Sequence, residues 1–186
     1  MILNFDIIST EICSQSFLKL GIKDFHSACS FVLNLPYERI SDSTDFMLVL
    51  KEKKGTCSSK HSLLARLSEE NNQPEIELIM GLFLMSPETH PVLYEFFKGK
   101  QYTVIPEAHC YLRYKSIRYD FTSSANSMSK IENKIIREQR IEPHQTGEWK
   151  VKIHQEYLGK WLNRHSELNI TLEEIWKDRE QCILLL

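Results

Sequence analysis

The chain has 186 residues, a length that suggests a single domain, and its 42% hydrophobic and 26% charged residues are an ordinary globular balance. The formal net charge of -2 argues against nucleic acid or an anionic membrane as an obligatory partner. The first residues lack the basic stretch of a secretory signal, and no apolar run approaches the ~20 residues that span a bilayer. We therefore expect a cytoplasmic protein without a membrane partner.

Residues 10–34 show apolar spacing typical of two helices. Gly21 can end the first helix, and the second should stop before Pro36, because a proline biases the preceding residue out of the helical region. Residues 37–56 are predicted to be a loop that contains the short apolar run FMLVL. A third helix is predicted over residues 57–72, where leucines recur at helical spacing.

The pattern then changes from helical to strand-like. Alternation in the first part of EIELIMGLFLM predicts a strand, and further short strands are predicted in YTVIP, AHCYLRY and SIRYDFTS. The next segment, SSANSMSKIENK, is polar and is predicted to be a loop or the start of a helix.

Two more helices are predicted after the strands. The run WKVKIHQEYLGKWLNRH keeps its apolar residues on one stripe, and Thr171 with Glu174 forms a capping box that opens a last helix. Helices, then strands, then helices predict an α+β fold instead of alternating α/β. We expect residues 1–125 to form the core and residues 126–186 a mainly helical extension packed on it.

The five cysteines are odd in number and show no disulfide-framework spacing, which favours free thiols in a reducing compartment. Four of them are expected to be core residues: Cys13, Cys29, Cys110 and Cys182. His154 and His165 are predicted to be partly exposed structural residues, and the three tryptophans to be packing residues.

Cys57 stands where a helix is predicted to begin, in KKGTCSSKHSLLARL. A helix N-terminus carries roughly half a positive charge and unpaired N–H groups, which favour a thiolate over a thiol. Gly55, just upstream, permits a close approach of the backbone. Cys57 is therefore a candidate nucleophile, although a small buried residue is the commonest role of a free cysteine.

A cysteine nucleophile needs a base, and His109 is the candidate because it lies on a predicted strand that precedes a turn. If Arg113 pairs with Ser116 across that turn, the register places Asp120 directly opposite the histidine. Opposed antiparallel residues have Cβ atoms ~4.5 to 5.5 Å apart. The Asp120 carboxylate could then accept a hydrogen bond from one ring nitrogen and aim the other at the thiolate.

The segments KGTCSSKHSLLARL, AHCYLRY and RYDFT together resemble the transglutaminase-like superfamily of papain-like cysteine proteins, over roughly residues 30–125. In that superfamily the cysteine opens a helix packed on an antiparallel sheet, and the histidine and aspartate lie on neighbouring strands. The resemblance implies Cys57 as nucleophile, His109 as general base and acid, and Asp120 as the orienting carboxylate. DFT stands where the superfamily commonly has Asp-Pro-Thr, and the spacing from histidine to aspartate is short for it.

A metal site is an alternative reading of the same residues. Cys57 and His61 share one helix face, and His109 with Cys110 could complete a Cys2His2 set. Adjacent strand residues point to opposite faces, however, so His109 and Cys110 do not converge easily on one ion. We expect no cofactor, and we expect Lys60 and His61 to lie on a solvated helix face.

The combined pattern predicts a cysteine-dependent acyl-transfer enzyme that acts on an amide or ester, in a peptide or protein substrate, through a thioester. Water as second nucleophile gives a peptidase or amidase, an amine gives transglutaminase-type transfer, and hydrolysis is slightly preferred. Asn34 or Tyr37 could supply a second oxyanion donor. The alternative is a catalytically inactive transglutaminase-like module for binding or interaction, and an open groove beside Cys57 would favour the enzyme.

Overall fold

The computed structural model describes residues 1–123 and 127–186. These residues form an α+β fold with eight α-helices and one four-stranded antiparallel sheet, which confirms the predicted fold class. The helices are α1 (Ile12–Lys19), α2 (Phe25–Leu33), α3 (Leu48–Glu52), α4 (Cys57–Glu70), α5 (Tyr94–Phe97), α6 (Ser127–Ile131), α7 (Glu148–Arg164) and α8 (Leu172–Leu184). The strands are β1 (Glu77–Met85), β2 (Ile105–Tyr114), β3 (Ile117–Tyr119) and β4 (Ile135–Arg140). None of the helices in these residues combines the length and the apolar composition needed to cross a membrane.

The strand order is β3-β2-β1-β4, and all neighbours are antiparallel. β1 and β2 pair from Glu77 opposite Arg113 to Met85 opposite Ile105. β1 is buried on both faces, which explains why its sequence is a nearly continuous apolar run. β3 covers only residues 112–114 of β2, so the rest of that β2 edge has no strand partner in the described residues.

Two apolar cores lie on the two faces of the sheet. α1, α2 and α4 fill the first core, where Phe17, Phe25 and Leu64 are fully buried. α7 and α8 contribute Leu158 and Ile175 to the second core. α7 begins beside the first core and continues over the second, which brings its first turn close to the start of α4.

Several elements differ from the predicted pattern, and α5 is one that was not predicted. The predicted loop 37–56 contains α3, because Asp45 Oδ1 accepts the Met47 N–H and Val49 is fully buried. The predicted strands YTVIP and AHCYLRY are not separate, because β2 runs without a break from Ile105 to Tyr114, and residues 102–104 of YTVIP lie outside it. β4 was not predicted, because IIREQR is mostly polar and charged, a composition that suits an edge strand.

The predicted boundary between residues 125 and 126 lies outside the described residues, as does part of the polar segment SSANSMSKIENK. The rest of that segment forms α6 and a short 3₁₀ turn. The chain beyond it supplies β4, which pairs with β1, before it continues into α7 and α8.

Candidate active site

The turn between β2 and β3 fixes where the candidate carboxylate lies. Tyr114 pairs with Ile117, so the turn residues are Lys115 and Ser116, with φ values of 48° and 64°. Positive φ at both residues is typical of a type I′ turn, whose twist matches that of the flanking strands. The β2–β3 hairpin therefore has a two-residue turn, the commonest short connection between antiparallel strands.

The predicted pairing of Arg113 with Ser116 is wrong, because Arg113 pairs with Arg118. The shift is an even number of residues, so Asp120 stays on the same face as His109. Asp120 follows the last residue of β3 and stands diagonal to the histidine, not directly opposite it. His109 Nε2 nevertheless lies 2.9 Å from Asp120 Oδ2.

The contact between His109 and Asp120 is shielded from solvent, since their side chains are 12% and 3% exposed. Asp120 Oδ1 accepts the backbone N–H of Thr122 at 2.9 Å, which fixes the orientation of the carboxylate. The carboxylate can therefore hold the imidazole ring in one orientation.

Cys57 is the first residue of α4. Its sulfur interacts with the His109 side chain and also with the backbone N–H of Cys110. The structure thus brings the three predicted residues together, with His109 in contact with both Cys57 and Asp120.

The surroundings of Cys57 and His109 favour the charged form of each side chain. Burial alone would raise the pKa of Cys57, but the charge of Lys150 and the charge and hydrogen bond of His109 outweigh it and lower the pKa to about 6. Burial would lower the pKa of His109, but the Cys57 thiolate and the hydrogen bond to Asp120 raise it to about 10. Between these two pKa values the pair is a thiolate and an imidazolium.

Gly55 allows the backbone to enter α4 in a confined space. A Cβ at this position would lie 2.9 Å from Lys60 Cγ and 3.0 Å from Ser59 Oγ, both too close for an ordinary contact. Ser59 Oγ accepts the Thr56 N–H at 3.0 Å, which stabilises the first turn of the helix. A glycine is therefore required for the close packing that positions Cys57.

His61 is fully buried, so the prediction that it lies on a solvated face is wrong. Its Nδ1 donates to the Cys57 carbonyl at 2.8 Å, and its Nε2 accepts the Phe121 N–H at 2.8 Å. Burial lowers the pKa of His61 to about 4, so the ring is neutral and the two bonds determine its tautomer. His61 thereby ties the start of α4 to the residue that follows Asp120.

Lys60 is also fully buried, and the prediction that it is solvated is wrong. Its Nζ donates to the carbonyl oxygens of Leu35 and Thr122 at 2.6 and 2.7 Å, which joins the segment after α2 to the segment after β3. One sequence signal indicated that His61 lies near the site: it follows Cys57 by four residues, so the two share one face of α4. The burial of Lys60 depends on segments distant in the sequence.

Lys150 is a residue of the site that sequence reasoning missed. It lies in the first turn of α7, is 8% exposed, and donates from Nζ to Ser58 Oγ at 2.9 Å. No motif marks it, because its importance arises only when α7 is placed beside the start of α4.

A cleft of about 930 Å³ opens beside Cys57, which is itself only 7% exposed. Its walls come from the segment before α3, the start of α4 and the C-terminal helices, and they include Tyr37 and Trp176. Of the two residues considered as oxyanion donors, Tyr37 lines the cleft. Asn34 instead uses its side-chain amide to cap its own helix, through a 2.7 Å bond to the Ser30 carbonyl.

The alternative metal site is disfavoured by the hydrogen bonds of His61, since backbone groups already engage both ring nitrogens. In the described part of the chain, no group of three or more His, Cys, Asp and Glu residues could hold a metal ion. His154 is buried, contrary to prediction, and donates from Nε2 to the Pro106 carbonyl at 2.8 Å. His165 is partly exposed, and all five cysteines are free and buried.

Comparison with known proteins gave no match: no protein-family model, no curated protein and no solved structure is similar to this chain at a significant level. The function is therefore inferred from the geometry and chemistry of the site.

Proposed function

We propose that this protein is a cysteine-dependent acyl-transfer enzyme that acts on an amide or ester, in a peptide or protein substrate, through a thioester on Cys57. One observation carries the proposal: a cysteine at the mouth of a helix, beside a cleft, interacts with a His109 ring that Asp120 holds at 2.9 Å. A nucleophile, a proton donor and an orienting group in contact are the minimum that covalent catalysis by cysteine requires.

The chemical steps follow from these three groups. The Cys57 thiolate attacks the carbonyl carbon, and the electron pair of the C=O bond moves to the oxygen, close to the positive end of the α4 dipole. The oxyanion then collapses, the bond to the amine or alkoxide breaks, and the His109 imidazolium gives its proton to the leaving group. His109, now neutral, takes a proton from water or an amine, which attacks the thioester and releases Cys57.

Water is the preferred second nucleophile, which makes hydrolysis of an amide or ester the favoured reaction. We prefer hydrolysis because an intracellular crosslinking enzyme would need tight regulation of its activity. Transfer to an amine uses the same thioester, and the two outcomes differ only in which nucleophile enters the cleft.

The transglutaminase-like resemblance supports this proposal at the level of residue order and local structure. Cys57 opens a helix packed on an antiparallel sheet, and His109 and Asp120 follow on a strand and just after its neighbour. The two-residue turn makes the hairpin shorter than is common in that superfamily. We propose the transglutaminase-like fold on these grounds.

A second candidate is a catalytically inactive module of the same fold that binds a partner. The low exposure of Cys57, 7%, and the position of α7 and α8 along the cleft favour it, because both limit access to the sulfur. The two candidates predict different reactivity towards an acyl donor, although both allow a low thiol pKa.

An acyl-trapping experiment tests the proposal. The protein is mixed with p-nitrophenyl acetate near pH 7, and acylated protein is quenched in acid and mapped by mass spectrometry. We expect a burst of p-nitrophenol and an acetyl group on Cys57, both absent from Cys57→Ala and retained in Cys182→Ala, which removes a thiol of the second core. Acylation of Cys57 that stops at one equivalent without turnover, or rapid alkylation of Cys57 without any acyl adduct, would instead select the binding module.

A further inference from the structure

Lys150 is a buried cation that makes no ion pair with a carboxylate in the described part of the chain. Its Nζ donates to the neutral hydroxyl of Ser58 at 2.9 Å. Glu107 lies close enough to influence it, but both Glu107 oxygens are engaged by Arg179 at 2.6 Å. A buried ammonium that lacks a counter-ion is costly, so a second anion should face it.

Two sulfurs adjoin the Ser58 hydroxyl, those of Cys57 and Cys110. Cys57 is the one that can supply the anion, because burial raises the pKa of Cys110 to about 11 and keeps it a neutral thiol. Ser58 Oγ accepts the hydrogen bond from Lys150 and also lies 3.9 Å from the Cys57 sulfur. The ammonium and the thiol therefore adjoin the same hydroxyl, and both line the same cleft. Because the site is shielded from water, the attraction between them is stronger than at the protein surface.

We propose that Lys150 is a positioning residue of the Cys57 site, and that its buried ammonium is a second counter-ion of the thiolate beside the His109 imidazolium. Lys150 acts through the sulfur and does not require contact with the reacting carbonyl. It stabilises the thiolate before acylation and again when the sulfur leaves the thioester. Through Lys150, α7 contributes to the reactivity of Cys57. This proposal rests on the proposed function in one respect, that Cys57 is the nucleophile.

Charged and titratable groups face the thiolate from several elements. They are His109 and Cys110 on β2, Lys60 on α4, Lys150 on α7 and Tyr37 in the segment before α3. Those that influence Lys150 are Cys57, Cys110, Glu107, His154 and Arg179. Burial raises the pKa of Cys57, and among the opposing influences the charge of Lys150 is the largest.

The experiment measures the pH dependence of alkylation of Cys57 by iodoacetamide. In Lys150→Met, which keeps an unbranched side chain of similar length and removes the charge, the rate at about pH 6 should fall roughly fivefold, as a rise of one pKa unit produces there. Lys150→Arg should keep most of the parent rate because it keeps the charge. The matched control is Lys152→Met, an exposed lysine on the same helix, which should leave the profile unchanged.

Two further variants separate the possible outcomes. Ser58→Ala removes the hydroxyl that holds Lys150, and it should shift the profile in the same direction as Lys150→Met but less. It also provides the test if Lys150→Met does not fold. If His109→Ala shifts the profile and neither Lys150→Met nor Ser58→Ala does, Lys150 has no role at the thiolate and the proposed function stands. If none of these variants shifts it, both proposals fail.

Discussion

His109 and Asp120 make a 2.9 Å hydrogen bond although they are not paired across the β2–β3 hairpin. The strand partner of Arg113 is Arg118, so Asp120 stands diagonal to the histidine and beyond the end of β3. Diagonal residues on one face are within reach of long side chains. Because Asp120 has left the strand, its carboxylate can also be fixed by the N–H of Thr122.

The reaction rate should depend on pH in a bell shape. The acid limb follows the Cys57 thiol, with a pKa lowered to about 6, and the alkaline limb follows the His109 imidazolium, with a pKa raised to about 10. The thiolate is lost as pH falls through the first value, and the proton donor is lost as pH rises through the second. Hydrolysis of a peptide anilide, whose amine leaving group needs the proton, measures both limbs from about pH 5 to about 10.5.

Substitution of the pair should move the acid limb. In His109→Ala the profile of Cys57 alkylation should shift towards that of an ordinary thiol, because the adjacent cation is gone. Asp120→Ala should give an intermediate shift, since the histidine remains but is less firmly held. Coincidence of all three profiles at an ordinary thiol pKa would contradict an activated nucleophile.

Native alkylation should be selective for Cys57. Burial raises the pKa of Cys110 to about 11 and that of Cys182 to about 12, and it also raises the pKa of Cys13 and Cys29. These four thiols are protonated and enclosed at neutral pH, so they should react slowly. Peptide mapping after brief exposure to iodoacetamide checks this, with urea-denatured protein as the control in which all five cysteines react. Native labelling of Cys110 as fast as Cys57 would show that the site is more open than its burial indicates.

His61 should be a source of acid sensitivity. The unfolded chain takes up a proton at this residue near pH 6.5, whereas burial lowers the folded pKa to about 4. The stability that the neutral ring contributes is therefore present above pH 6.5 and is lost as pH falls through the folded pKa, by at most about 3 kcal/mol. His61→Leu should lower the free energy of unfolding at pH 7 by about 2–4 kcal/mol, because the Phe121 N–H and the Cys57 carbonyl lose their partner.

Urea unfolding of the parent and His61→Leu at pH 7, 5.5 and 4 measures this effect. The difference between the two proteins should shrink as the pH falls, because the parent alone carries the penalty of the buried neutral ring. His144→Leu, which changes an exposed histidine, is the matched control and should behave as the parent does. A difference that stays constant with pH would mean that the pKa of His61 is the same in the folded and the unfolded protein.

Much of the site could be predicted from local sequence, and some of it could not. The start of α4 at Cys57 follows from leucines at helical spacing. His109 and Asp120 were predicted on the same face of the sheet, and this stayed correct because the predicted register was wrong by an even number of residues. Burial of Lys60 and the approach of Lys150 depend on segments far away in the chain. A lysine in an amphipathic pattern predicts solvent exposure, and only the packed structure shows an exception.

The ion pair between Glu107 and Arg179 should be needed to anchor α8 on the sheet. Two hydrogen bonds of 2.6 Å join them, and their side chains are 7% and 12% exposed. Burial raises the pKa of Glu107, but the charge of Arg179 outweighs it and lowers the pKa to about 2. Arg179→Met should lower the free energy of unfolding by about 3–5 kcal/mol, because it leaves a buried carboxylate unpaired.

The double variant Glu107→Leu with Arg179→Met should recover most of the lost stability, since it removes both buried charges. Arg164→Met, at the exposed end of α7, is the control for loss of an arginine and should be nearly neutral. Urea unfolding at pH 7 of the parent, Arg179→Met, the double variant and Arg164→Met measures these changes in stability. If the single and double variants are equally unstable, the pair contributes through packing and not through its charges.

Gly55→Ala should damage both stability and the reactivity of Cys57. The added methyl group would lie 2.9 Å from Lys60 Cγ, 3.0 Å from Ser59 Oγ and 3.1 Å from Val49 Cγ2. Lys60 cannot move away easily, because its Nζ is held by two carbonyl oxygens at 2.6 and 2.7 Å. The backbone that leads into α4 must shift instead, at a cost of about 1–3 kcal/mol, and the sulfur moves with it.

Gly159→Ala is the matched control, because a methyl group at this position in α7 meets no atom within 4 Å. Alanine is favoured over glycine inside a helix by about 1 kcal/mol, so this variant should be more stable than the parent. Urea unfolding should therefore give changes of opposite sign for the two variants, and the alkylation rate of Cys57 near pH 7 should fall only in Gly55→Ala. If Gly55→Ala kept the parent stability and the parent alkylation rate, the packing around Gly55 would not be what positions the nucleophile.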